Sequence, residues 1–289
     1  MKRTLIGLAV LAVGAAGALA ASAIPGGSIT ASSSPVSGIT AQAQAYATAD
    51  TAAEAGRGTV IKECMAAAGF NLVPAISTHK VDFSANIGFK RLDVATAKAS
   101  GYASLGPTGS HEPAEGSPES LMFADPAFEA AYMGPNTEDN MVKVNGTGTR
   151  GGGCGGEAAR QIYGSVENYI LATGVAMNSL NAAAGSAMSD PGFQKAIGSW
   201  TSCMAASPYA NFGSPSDALT AGQSAGGQTE FKIAVTDATC REQSNFQGQL
   251  DAVLDKYLTT RMQQLEPEIA KVTEIRKQAA AQAAALNSK

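Results

Sequence analysis

The chain has 289 residues, 45% of them hydrophobic, 15% charged and only 6% aromatic, with 32 glycines, 4 cysteines and a formal net charge of −4. An acidic balance offers no basic footprint, which sets nucleic acid aside as a partner. The length permits a substantial core in one large or two small domains, but few aromatics and many small residues make that core alanine-rich and thin.

Lys2 and Arg3 precede an apolar run over residues 5–18, and small residues follow as Ala18-Leu19-Ala20 and Ala21-Ser22-Ala23. A basic start, a short apolar stretch and A-x-A-like sites read as a secretory signal over residues 1–23. At about 14 residues the run falls short of the roughly 20 that span a bilayer, so an uncleaved membrane anchor is the lesser alternative. Losing Lys2 and Arg3 with the signal makes the chain still more acidic. No cysteine follows the apolar run, which removes lipid attachment at a processed N-terminal cysteine. Residues 24–40, rich in Ser, Ala, Gly, Thr and Pro, predict a flexible leader. Residues 41–289 predict a single domain.

From Gln42 the composition turns helical toward Cys64, with Gly56 and Gly58 expected to split the helix in two. Gly69 fits the residue just past a helix end, and Phe70 the apolar contact that accompanies a left-handed cap. Between Leu72 and Gly153 the pattern is poor. Val81, Phe83, Ile87 and Phe89 hint at extended structure, Asp93 fits the cap of a short helix through Lys98, and residues 106–118 read as a turn-rich loop. Asp125-Pro126 is an N-cap and first-turn pair for a helix to about Met133. Residues 141–144 predict a short strand, and the glycine cluster from Gly146 to Gly156 a flexible hinge.

From Glu157 onward Ala158, Ile162, Val166, Ile170 and Leu171 keep helical spacing. Asp190-Pro191 opens a helix carrying Phe193, Ile197, Trp200 and Cys203. A loop is expected over residues 208–227, then helix from about Phe231 to Leu286. Within it Leu258, Met262, Leu265, Ile269 and Val272 form a heptad-like stripe, which packs on the chain's own helices or, alternatively, on a partner's. Pro267 should kink or split that helix, and the stretch after Ile275 should fray. The fold class is therefore mostly α: a disulfide-stapled helical domain with a loop-rich middle, few short strands and a long C-terminal helix.

Four cysteines in an exported chain favour structural disulfides. Cys64, Cys154, Cys203 and Cys240 allow three pairings, among which sequence alone does not choose. The preferred one, Cys64 with Cys154 and Cys203 with Cys240, ties each Cys-Met helix to the next cysteine along the chain. Zinc would want short C-x₂₋₄-C spacings or nearby histidines, which these cysteines lack.

Several motif matches read as chance. Gly222-Gln223-Ser224-Ala225-Gly226 spells the G-x-S-x-G elbow, but no strand precedes it and both histidines, His79 and His111, lie upstream. Gly146 to Gly151 spells G-x-G-x-x-G without the following strand that a dinucleotide site needs. Ser77-x-x-Lys80 lacks the S-D-N and K-T-G that accompany it in penicillin-binding enzymes. His111, Glu112 and Glu115, with Glu119 and Asp125, gather metal-ligand types, yet Pro113 and the turns around it favour a solvated acidic loop. No catalytic, cofactor-binding or metal-ligating residue is expected.

Four phrases in order, Cys64 to Phe70, Gly153 to Ala158, Trp200 to Met204 and Ala234 to Cys240, resemble a group of uncharacterised exported proteins and lipoproteins of actinobacteria. The resemblance implies a helical, disulfide-bridged extracytoplasmic domain and brings no catalytic residues. Two departures stand out: the lipidated cysteine of many relatives is missing, and Pro208 stands where the group has glycine. The expected role is non-catalytic binding, interaction or structure at the cell envelope. The alternatives are an envelope hydrolase or accessory factor using residues 72–153, and an extracellular binder of small molecules or peptides with a pocket between helices.

Overall fold

Gly38 is already helical, inside the stretch expected to be a leader; there Thr40 is buried and its hydroxyl donates to Asp255 at 2.6 Å. A computed structural model describes residues 38–71, 81–106 and 118–286. The first helices are α1 (Gly38–Ala47) and α2 (Thr51–Ala67), the latter capped by Asp50, whose side chain accepts from the Ala53 amide at 2.9 Å. α2 is unbroken at Gly56 and Gly58. A Cβ at Gly56 would lie 2.5 Å from the Cβ of Ala283, so this glycine lets two helices touch and does not interrupt one. At the far end Gly69, with φ +89°, closes a Schellman turn: its amide bonds Ala66 O at 3.0 Å and that of Phe70 bonds Met65 O at 2.8 Å. Phe70 then meets Phe128 edge-on at 5.3 Å.

The middle section is more helical than its sequence implies. Phe83 and its neighbours form α3 (Phe83–Asn86), not extended chain, because Asp82 accepts from the amides of Ser84 and Ala85 and so starts a helical turn. Then come α4 (Val94–Ser100), capped by Asp93, α5 (Pro118–Ala124), and α6 (Pro126–Met133), capped by Asp125. Strands β1 (Met141–Val144) and β2 (Thr147–Arg150) pair antiparallel around Asn145-Gly146, both at positive φ as a two-residue hairpin turn requires. The G-x-G-x-x-G match is thus a hairpin turn and its second strand. The glycines that follow are packed and no flexible hinge: a Cβ on Gly156 would fall 1.8 Å from Gly151 O.

Helix α7 (Gly153–Tyr163) ends at Gly164, and Ser165 caps α8 (Val166–Tyr169), which runs through a π-helical segment (Ile170–Val175) into α9 (Ala176–Ala187). α10 (Pro191–Ala205) follows, capped by Asp190. The expected loop over residues 208–227 holds α11 (Pro215–Ala225), which opens with Ser214 accepting from the Asp217 amide and Pro215 in the first turn. α12 (Gly227–Gln243) is separated from α13 (Phe246–Leu286) by Asn245 at φ +48°, where one continuous helical region was expected.

α13 is the spine of the described residues: it packs against α1, α2, α7, α9, α10 and α12. It passes Pro267 as one helix rather than two. Pro267 and Gln263, whose carbonyl loses its partner, are both exposed, so water can take the free acceptor. Leu258, Leu265 and Val272 are buried, with Met262 and Ile269 packed half-buried beside them. The stripe therefore lies on the chain's own helices. Beyond it Ala279 and Ala283 are buried too, the latter over Gly56, so the final turns are docked where fraying was expected. Alanine needs little room, which is what allows this close approach.

The disulfides join Cys64 to Cys154 and Cys203 to Cys240, with Cα–Cα distances of 5.6 and 5.5 Å. The first ties α2 to α7, the second α10 to α12, and α13 lies against both pairs. Two separately stapled helix pairs share one unbridged spine. Among the described residues no helix is long and apolar enough to cross a membrane.

Candidate functional site

Among the described residues Asp237 on α12 is a fully buried carboxylate that accepts four hydrogen bonds. Trp200 Nε1 and Arg241 Nε reach its Oδ1 at 2.9 and 2.8 Å, while Tyr102 OH and Arg241 Nη2 each reach Oδ2 at 2.9 Å. Arg241 also donates to Lys90 O at 2.7 Å. Every carboxylate oxygen is engaged, and burial beside Asp237 pushes the Tyr102 phenol far above its ordinary range. Such a group orients and anchors; its lone pairs are already committed. Gly222 on α11 is shaped to the same cluster, since a Cβ there would sit 2.4 Å from the Tyr102 ring.

A second cluster ties α2 to α7 and α8. Tyr163 OH donates to Glu54 Oε1 at 2.8 Å, Arg57 Nε donates to Oε2 at 3.0 Å, and Arg57 lies 5.0 Å from the centre of the Tyr169 ring. On α13, Arg276 bonds the carbonyls of Tyr46 at 2.8 Å, Ala45 at 3.3 Å and Ala172. Two of these are orphan acceptors at the end of α1 and one belongs to the π-helical segment, so one cation ties the end of α1 to that irregular stretch. The buried Tyr46 hydroxyl has no hydrogen-bond partner among the described residues.

The motif residues lie elsewhere. Ser224 sits in the last turn of α11 and donates to Thr220 O at 2.8 Å, as a helical serine does, so the G-x-S-x-G match has neither elbow nor strand. Ser77, Lys80, His79, His111, Glu112 and Glu115 fall outside the described residues, as does the side chain of Glu119. Asp125 accepts from the amides of Ala127 and Phe128 as a helix cap. The four cysteines form the two bridges, and among the described residues none is free.

An open groove of about 430 Å³ runs between α9 and α13. On α9, Leu180, Ala184 and Ala187 turn into the core, which leaves Ser179, Ala182, Ala183 and Ser186 on the adjoining face. On α13, Leu254 and Leu258 face inward and Tyr257, Thr260, Arg261 and Gln264 border the groove. Small side chains on one wall and long ones on the other leave the space. Arg261 donates to Gln264 Oε1 at 2.9 Å and to Ser179 Oγ at 3.1 Å. At one end Lys256 Nζ bonds Asp190 Oδ2 at 2.8 Å and Tyr257 OH reaches the same oxygen at 3.4 Å. The hydrogen bond from Lys256, aided by the Gly192 amide, holds the Asp190 carboxyl below its usual range. Nothing in the sequence marked Arg261, because charged residues on a long helix ordinarily face solvent and the opposing wall comes from a helix some eighty residues away.

No protein-family model matches the chain, and no curated protein or solved structure is similar to it.

Proposed function

We propose that this is an exported protein of the cell envelope with a non-catalytic binding or interaction role. The observation that carries the reading is the pair of disulfides, each joining helices far apart in the chain, in a domain whose buried charged groups are spent on one another. Bridges of this kind persist in oxidising compartments, and the basic-apolar-small start of the sequence supports export in the same direction. The four-phrase resemblance to exported actinobacterial proteins agrees with it. Fractionation of the producing cell tests it: the chain should be recovered outside the cytoplasm, cleaved near residues 18–23, with no thiol open to alkylation before reduction. A cytoplasmic pool with four alkylatable thiols would refute it.

The α9/α13 groove favours one of the two alternatives, an extracellular binder of small molecules. Its volume lies within the roughly 300–1,000 Å³ of ligand pockets, and it combines a small-residue wall with converging polar groups.

A further inference from the structure

Among the described residues the arginines are closely matched, with one exception. Arg57, Arg91, Arg150, Arg160 and Arg241 each meet a carboxylate within 3.3 Å, and Arg276 is taken up by backbone carbonyls. Arg261 alone among the described arginines bonds only neutral side-chain oxygens, those of Gln264 and Ser179. These two bonds leave most of the guanidinium's five N–H donors unused. Ser179 serves Arg261 as an acceptor, so its own O–H remains to donate. Lys256 is neutralised by Asp190, which leaves the charge of the groove equal to that of Arg261. A concave, donor-rich, positively charged wall on an acidic chain is complementary to an oxyanion, which guanidinium binds through paired N–H···O bonds. Beside it Ala182 and Ala183 offer a slim apolar floor, and the volume suits a small molecule.

On the reading of the groove as a small-molecule site, we propose that it binds a small organic oxyanion, a carboxylate or a phosphate monoester, with the charge on Arg261 and Ser179 and the carbon skeleton over Ala182 and Ala183. The test is an NMR titration of the disulfide-bonded, ¹⁵N-labelled chain with benzoate, glycerol 3-phosphate and inorganic phosphate, and with benzyl alcohol and glycerol as uncharged counterparts. Saturable shifts of the Arg261 Nε–H and of the Ala182 and Ala183 amides are expected, with at least one organic anion binding about tenfold tighter than its uncharged counterpart. The stronger of the two anionic arms then names the headgroup. Arg261→Gln should weaken that binding about tenfold while leaving the rest of the amide spectrum in place. Ala182→Leu, which narrows the groove without touching its charge, should weaken the organic anions and spare inorganic phosphate. Unsaturable shifts shared with exposed Arg160, or unchanged binding by Arg261→Gln, would overturn the proposal. If the uncharged compounds bind the groove as tightly as the anions, the oxyanion assignment falls and the groove reading stands. If no compound perturbs Ala182 or Ala183, both fall.

Discussion

Replacing Asp237 with asparagine keeps the shape of the side chain and removes its charge, so it isolates what the buried network contributes. Each carboxylate oxygen receives two donors, Trp200 and Arg241 on one and Tyr102 and Arg241 on the other. Whichever oxygen becomes an amide nitrogen turns a donor toward two donors, and each buried donor left unmet costs about 1–3 kcal/mol. Arg241, only 5% exposed, also loses its counter-charge, and breaking a buried ion pair from one side typically costs about 3–5 kcal/mol. The two costs overlap, so a loss of about 4–6 kcal/mol is expected, a large part of the roughly 5–15 kcal/mol that holds a domain together. Urea unfolding followed by tryptophan fluorescence reads the network directly, since Trp200 is the single tryptophan of the chain and one of the donors. Adding Arg241→Met should recover about 2 kcal/mol relative to the sum of the single losses, because the stranded charge is gone. A loss below about 1 kcal/mol for Asp237→Asn, or single losses that add within about 0.5 kcal/mol, would refute the reasoning.

Removing the Cys64–Cys154 bridge, which closes 90 residues, should cost about 4.6 kcal/mol, against about 3.8 kcal/mol for Cys203–Cys240, which closes 37, by the chain-entropy relation. Paired Cys→Ser variants melted without reductant give the order, and the reverse order would show that native-state strain outweighs loop entropy. Gly56→Val should destabilise by about 1–3 kcal/mol by pushing α13 off α2, whereas Gly198→Ala, which opens onto free space within α10, should stabilise by up to about 1 kcal/mol. Equal responses in thermal melts would deny the close helix contact. Burial raises the phenol pKa of Tyr46, Tyr102, Tyr163 and Tyr169 above the ordinary value near 10. The stability they contribute is therefore intact below about pH 10 and lost as pH rises further, by up to about 1.4 kcal/mol per pH unit for each phenol held neutral. Tyrosinate absorbance of this buried set should rise together with loss of helix, and a full rise while the helix signal is still intact would contradict the burial.

Local chemistry was legible at the caps. Asp93, Asp125 and Asp190 start helices where the sequence placed them, and Gly69 ends one, because each depends on amides only a few residues away. α11 carried a comparable signal in Ser214, Pro215 and Asp217, but its buried residues are Pro215, Ala218, Leu219 and Gly222, too small a face to register as an apolar stripe. Glycine was the residue most often misread. Gly56, Gly156 and Gly222 looked like breaks or looseness in the sequence, yet each sits where another part of the chain comes too near for a Cβ.

The amino-acid sequence by itself determined that this chain is helical, that its cysteines bridge, and where many of its helices begin. Periodicity, caps and cysteine usage are properties of neighbouring residues. Tertiary structure alone decided that Asp237 would gather Trp200 and Tyr102, that Ala283 would lie against Gly56, and that Arg261 would face a wall of small residues on α9. Those relations join segments tens to hundreds of residues apart, and a hydrogen bond or a van der Waals contact acts over a few ångströms of space, whatever the distance along the chain.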